Sequence, residues 1–515
     1  MADETSSTIE MGPVVDRPPS STESVDGRTP SSMESATIAG TIPQTVVWDG
    51  DGDPENPRNW PVSRKWVNVV LISMQASLSP IASTFLAIGA EAVVTEFGHS
   101  DPYTPALPTG LYVLGLSLGP LILGPCSELY GRRIVYLTGF SFFTFFNLGC
   151  ALAPNIVVLS FFRLLSGIAG AAGPGLGASS IGDMFCVEER GRAQSVYSLG
   201  PVMGPVLGGV IGGFVVFYTT GWRWLMWITT IASGLTSIVS IIYMRETYAP
   251  YLLKRKAAHL SKQNPQKTFR TEGRVAPARV LFKRAITRPL RLLFGSPICA
   301  AMSVYLAVIY GILYLHLITI TLLFGPDELY GLFSYRWGGG RTGLAYLGAG
   351  TGSLIGMLFT AKCMNRSFAR ARALQARRTG SDDPHPELRL PFIKLGMAVV
   401  PCGLVIYAWS AGRAHWAVPL LGAGVFGLGM LMCYVCIHTY LVDCFDRWAA
   451  SALAAAMVTR CVVTSMLTIM GFEFYRKLGY AWGSMTLAFL CLVMIPIPFL
   501  LQKYGAVLRQ KQFED

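Results

Sequence analysis

The sequence predicts an all-α integral membrane protein, with twelve transmembrane helices in two six-helix bundles around a central cavity. Three observations carry this. Of the 515 residues, 52% are hydrophobic and only 14% are charged, where a soluble chain is about 25% charged. Apolar runs of about 20 residues, enough to cross about 30 Å of hydrocarbon, recur twelve times. A long basic stretch divides the runs six and six, and such symmetry places a binding site between two bundles at mid-membrane depth.

The runs lie near 66–90, 107–126, 134–153, 156–182, 193–217 and 224–243, and then near 297–324, 342–361, 393–411, 416–442, 449–472 and 480–501. The expected organisation is therefore a disordered acidic cytosolic tail (1–64), an N-terminal bundle (65–243), a basic cytosolic connector (244–296), a C-terminal bundle (297–501) and a short cytosolic tail (502–515). Residues 1–45 are rich in Ser, Thr, Pro and acids and lack the basic-then-apolar pattern of a signal peptide. This segment is expected to be disordered, and the first apolar run to act as the insertion signal.

Loop charges set the orientation. The net charge is +12, yet the first 64 residues hold eleven acids and four basic residues. The excess positive charge sits in loops. The connector has thirteen Lys/Arg against Glu246 and Glu272; Arg366, Arg370, Arg372, Arg377 and Arg378 follow run 8; Arg132 and Arg133 follow run 2; Arg190 and Arg192 follow run 4. All fall on one side of a twelve-span chain, whereas the opposite loop at 91–106 has no Lys or Arg. Positive-inside logic puts that side, and both termini, in the cytosol. The basic connector then faces anionic lipid headgroups, so the charge does not imply nucleic acid. The Asn365-Arg366-Ser367 sequon falls in a cytosolic loop and is expected to stay unglycosylated.

Enzyme chemistry finds no support. There is no Walker loop, G-x-S-x-G or zinc motif. The pair Cys433 and Cys436 lies in an apolar run with no second ligand pair, so it reads as helix packing rather than a metal site. No cofactor or metal is expected.

Three segments carry mechanism. Between runs 2 and 3 stands Gly124-Pro-Cys-Ser-Glu-Leu-Tyr-Gly-Arg-Arg133. Gly124 and Gly131 suit a tight turn, Glu128 can meet a helix N-terminus or an Arg, and Arg132 can reach an acid on another helix. Run 5 reads Gly191, Gly200, Gly204-Pro205 and Gly208-Gly209 at G-x8-G-x3-G-P-x2-G-G spacing. Its small residues permit close helix approach, and Pro205 removes a backbone hydrogen bond and kinks the helix. Arg163-Leu-Leu-Ser-Gly-Ile-Ala-Gly170 puts a cation inside run 4, where charge is costly and usually functional.

The first segment resembles the signature loop of the major facilitator superfamily, with Glu128 where Asp is commoner. The run 5 pattern resembles that of its proton-coupled antiporters, and the Arg163 segment looks like the family's R-x-x-x-G-x-x-G. Asp53-Pro-Glu-Asn-Pro-Arg-Asn-Trp60, Glu189-Arg-Gly-Arg192, Gly221-Trp-Arg-Trp224, Glu246-Thr-Tyr-Ala-Pro250, Tyr440-Leu-Val-Asp443 and Ala450-Ser-Ala-Leu453 narrow the likeness to fungal twelve-span drug:proton antiporters, over roughly residues 48–500. That group includes multidrug, polyamine and secondary-metabolite exporters.

The resemblance implies a conformational latch of Gly124, Glu128, Gly131, Arg132 and Arg133 with Asp183 and Arg192. It also implies a central cavity lined by spans 1, 4, 7 and 10. Candidates there are Gln75, Arg163, the Tyr310/Tyr314 and Tyr434/His438 pairs at i, i+4 spacing, and His316 as a further titrating group. No carboxylate falls at mid-span, so the proton carrier is unassigned; Asp183, Glu91 and Asp443 at span ends come nearest. The implied function is proton-coupled efflux of a small, largely apolar organic compound by a monomer in the plasma membrane, or in a vacuolar or vesicular one. A proton-coupled importer and a transport-inactive receptor fit the same span count, with the run 5 signature favouring export.

Overall fold

A computed structural model describes residues 44–50, 52–98, 103–219, 221–264, 269–271, 277–325, 331–337, 340–379, 386–445 and 448–512. Among these residues, eleven helical stretches are long and apolar enough to cross a membrane. The last runs through Ala449–Gly505, 57 residues, far beyond the roughly 20 that one crossing needs. Gly479 interrupts it at φ 68°, a conformation that only glycine adopts cheaply. Tyr475 then lies against Gly483 and Ser484 across the break. This stretch supplies two spans, and the total is twelve.

Spans 1 to 6 are Val62–Ile88, Leu107–Tyr130, Arg132–Ala151, Ile156–Gly170 with Ala172–Met184, Val187–Thr219 and Arg223–Tyr243. Spans 7 to 10 are Pro297–Phe324, Tyr346–Thr379, Leu390–Ser410 and Ala417–Phe445, followed by the paired spans 11 and 12. Span 7 begins with Ser296 capping the Cys299 amide and is the most enclosed of all. Span 8 differs most from expectation. At about 1.5 Å per residue its 34 residues overrun the bilayer, and its basic last turns, Asn365 among them, project beyond it as helix rather than loop.

The segment just before span 1 is folded, contrary to the expectation of a disordered tail through residue 64. Strand β1 (Gln44–Val46) pairs in parallel with β2 (Phe269–Thr271) of the connector. Asp53 accepts hydrogen bonds from the Asp49 and Glu55 amides at 2.9 and 2.8 Å, and Lys256 lies 3.2 Å from it and 2.8 Å from Asp49. The Asp49 amide, ahead of the Lys256 ammonium, holds the Asp53 carboxyl below the usual carboxylate range. Residues 1–43, the rest of that expected tail, lie outside the described residues, as does the end of the C-terminal tail beyond Gln512. The helix Pro496–Gln512 carries the chain from span 12 into that tail.

Two further helices, Ala249–Gln263 and Ala278–Gly295, fold within the connector. The second packs against span 2 of the first half and span 11 of the second, so it bridges the bundles on the cytosolic side. Within the membrane the halves meet along spans 2 and 11 and along spans 5 and 8.

Candidate functional site

The cytosolic end of span 2 is built around one glycine. Gly124 is helical here rather than a turn, because the helix runs on to Tyr130. The turn falls to Gly131 at φ 92°, where a Cβ would also come 2.4 Å from a Glu246 oxygen. Glu246 accepts from the Arg132 and Arg133 amides at 2.8 and 3.0 Å, satisfying the free N–H groups that open span 3. Sequence reasoning gave that role to Glu128. Glu128 instead faces outward, exposed, while the acid that follows span 6 folds back onto the turn.

Arg132 reaches Asp183 at the inner end of span 4, 3.3 Å away, and Ser127 Oγ at 2.6 Å. Arg133 donates to the Met244 and Ile241 carbonyls at 2.7 and 3.0 Å, closing the end of span 6. Arg192 is not part of this set; it lies over the Trp66 ring at 5.5 Å. The second half repeats the motif: Arg389, just before span 9, pairs with Asp443 at the inner end of span 10. Neither pair crosses between the halves.

Span 5 presents its glycines on two faces. A Cβ on Gly200 would meet Ser77 at 2.0 Å, on Gly204 Pro80 at 2.7 Å, and on Gly208 Thr84 at 2.2 Å. These three positions form one ridge at four-residue spacing laid on span 1. Gly209 and Gly213 face the other way, where a Cβ would lie 2.3 Å from the Tyr346 ring and 2.7 Å from Gly343. Thr84 donates to the Pro205 carbonyl at 3.2 Å, fixing span 1 to the proline turn. Gly191, at the inner end, has no neighbour within 4 Å of a built Cβ.

At mid-membrane depth, rings and cations from both halves converge. Arg163 is fully buried, donates to the Ala82 carbonyl at 3.0 Å and lies over the Tyr112 ring at 4.1 Å; its Nε and Nη1 have no hydrogen-bond partner. The Tyr314 and Ser83 hydroxyls are hydrogen-bonded at 3.0 Å, joining span 7 to span 1. Tyr310 lies 5.7 Å from Tyr314 and 6.3 Å from Tyr434, and Tyr434 lies 4.3 Å from His438.

Arg460 of span 11, which sequence reasoning passed over, lies 4.1 Å from the Tyr310 ring and 5.6 Å from that of Tyr434. Its signal was present, since it is the one basic residue in the apolar run 449–472, the same anomaly that marked Arg163.

Two candidates lie elsewhere. Gln75 donates from its Nε2 to Ser240 of span 6 at 3.0 Å inside the first bundle, and its buried Oε1 has no hydrogen-bond partner. His316 is buried among Tyr407 and Phe426, 4.2 and 5.4 Å away, on the side of span 7 that packs against spans 9 and 10. A recess of about 480 Å³, lined by Leu137, Thr138, Ser141, Phe142 and Phe145, opens on the outer wall of span 3, away from this cluster.

Twelve spans in two halves, meeting around a buried polar cluster, define a polytopic membrane carrier. The chain belongs to the Major Facilitator Superfamily, which it matches over residues 69–468; this is a family of transporters, not enzymes. It is 39% identical to the "Efflux pump radE" of Floropilus chiversii, covering 91% of this chain and 85% of that one. It is 38% identical to the "MFS-type transporter tndD" of Aspergillus flavipes, covering 92% and 87%. An inward-open structure of the xylose transporter XylE from E. coli aligns with TM-score 0.58 and 14% identity over 84% of this chain and 95% of that one, a likeness of fold alone.

Proposed function

We propose that this chain exports a small organic compound from a fungal cell by alternating access, driven by protons moving inward, at the plasma membrane and as a monomer. The observation that carries export is the complete span 5 pattern, whose glycines pack on span 1 from one face and on span 8 from the other. A helix that touches both halves through small residues can close the path at one end and slide at the other without losing its packing. The name of the 39% identical efflux pump radE supports the direction.

The Arg132–Asp183 and Arg389–Asp443 pairs serve in this reading as latches that hold each bundle rigid while the seam between them opens. Tyr310, Tyr314 and Tyr434 offer apolar faces with polar tips to the cargo. The test is flux of labelled compound in inverted membrane vesicles under an imposed pH gradient. Export predicts gradient-dependent accumulation inside the vesicles, abolished by a protonophore. Gradient-driven loss from preloaded vesicles would mean import, and no gradient-dependent flux in either direction would leave a receptor.

A further inference from the structure

The transport core is cationic, and among the described residues no carboxylate pairs with its charges. Among the described residues, every Asp and Glu lies in a loop or within about two helical turns of where a helix ends. Arg163 and Arg460 are permanent cations at mid-depth, and among the described residues neither is in an ion pair with a carboxylate. The titratable neighbours of Arg163 are Cys150, Tyr112 and Tyr314; those of Arg460 are Tyr310, Tyr314, Tyr434, His438 and Cys461.

Arg460 is the sharper case. It lies about 16 Å along span 11 from the inner end at about 1.5 Å per residue, only 9% exposed. Tyrosine faces on spans 7 and 10 receive its charge, yet its Nε has no hydrogen-bond partner, and neither does the buried Nε2 of His438 one ring away. The guanidinium is hydrogen-bonded to the Tyr434 and Cys461 side chains, and its remaining Nε donor is one that an incoming anion would complete. Its planar fork fits a carboxylate, and the surrounding rings fit the apolar body that carries it.

We propose that the cargo is an organic acid bound as its anion, the acidic group on Arg460 with His438 beside it and the ring or hydrocarbon body against Tyr310 and Tyr434. Arg163, across Tyr314 in the other half, adds to the attraction. This rests on the reading of the chain as an exporter and names the chemical class that it exports.

The test uses the full chain, purified in detergent, with 1-naphthoate and its neutral near-isostere 1-naphthamide as probes, and binding read by thermal shift and by quenching of tryptophan fluorescence. The wild type should bind the naphthoate at least tenfold more tightly than the amide. Arg460→Gln should lose that preference, and Arg460→Lys, which keeps the charge, should retain most of it. Equal binding of the two probes by the wild type, binding of neither, or an unchanged preference in Arg460→Gln would overturn the proposal. The same probes in inverted vesicles separate the two readings. Anion preference without gradient-driven flux supports the anion site and removes the export reading; gradient-driven flux of both probes at equal affinity does the reverse.

Discussion

The two ends of the seam between the bundles are built on opposite principles. On the outer side the halves touch through small residues at close range. Ser465 of span 11 donates to the Gly110 carbonyl of span 2 at 2.8 Å, and Gly213 of span 5 meets Gly343 ahead of span 8. At the cytosolic ends of the spans the strong contacts are charges that stay at home, Arg132 with Asp183 in one half and Arg389 with Asp443 in the other; the bridge there is the connector helix Ala278–Gly295. Dispersion between small residues is short-ranged and loses about a quarter to a half of its strength within about an ångström of separation. Ion pairs confined to one half do not have to break when the halves part. The outer seam is thus a surface that can open and re-form, and the inner rims are reinforcement that keeps each bundle rigid while it moves.

This contrast can be broken at either end. The largest effect is expected from tying the outer seam. Gly110→Cys combined with Ile469→Cys places two thiols where a Cβ and the Ile469 side chain now compete for the same space. Oxidation should stop transport completely and reductant should restore it, with each single variant insensitive; undiminished transport in the oxidised double variant would mean that the outer seam does not open.

Loosening an inner rim should cost less. Glu246→Gln and Arg132→Ala each remove charge-assisted bonds worth about 1.5–3 kcal/mol, so transport should fall several-fold while surface abundance falls less. Glu128→Gln should be the mildest, within twofold of wild type, because its carboxylate faces outward. A Glu128 variant more damaging than the Glu246 one, with both measured against surface abundance, would return the capping role to Glu128.

Much of the fold was legible because hydrophobic length is a direct physical requirement of the bilayer. Span 7 was placed at both ends, and span 1 to within a few residues. What was missed depends on contacts remote in sequence. Glu246 caps a helix that begins 114 residues earlier, and no local pattern separates it from the nearer Glu128. Gln75 is polar and inside a span, as a cavity residue would be, yet its partner is Ser240. The segment before span 1 has a disorder-like composition, and its order comes from pairing with a connector strand and from Lys256. Arg460 is different, since the rule that marked Arg163 applied to it equally.

The proposed export rests on the glycine ridge of span 5 packing closely on span 1. Gly204→Val tests it most directly, since a Cβ there comes 2.7 Å from Pro80 and 3.2 Å from the Ser77 carbonyl and the added bulk forces the helices apart, a strain of about 1–3 kcal/mol. The measurement is accumulation of labelled cargo in intact cells expressing equal surface amounts of wild type and variant, with and without a protonophore. The wild type should hold accumulation low until the protonophore raises it, and Gly204→Val should show high accumulation that the protonophore leaves unchanged. Low, protonophore-sensitive accumulation in Gly204→Val, equal to wild type, would contradict the account.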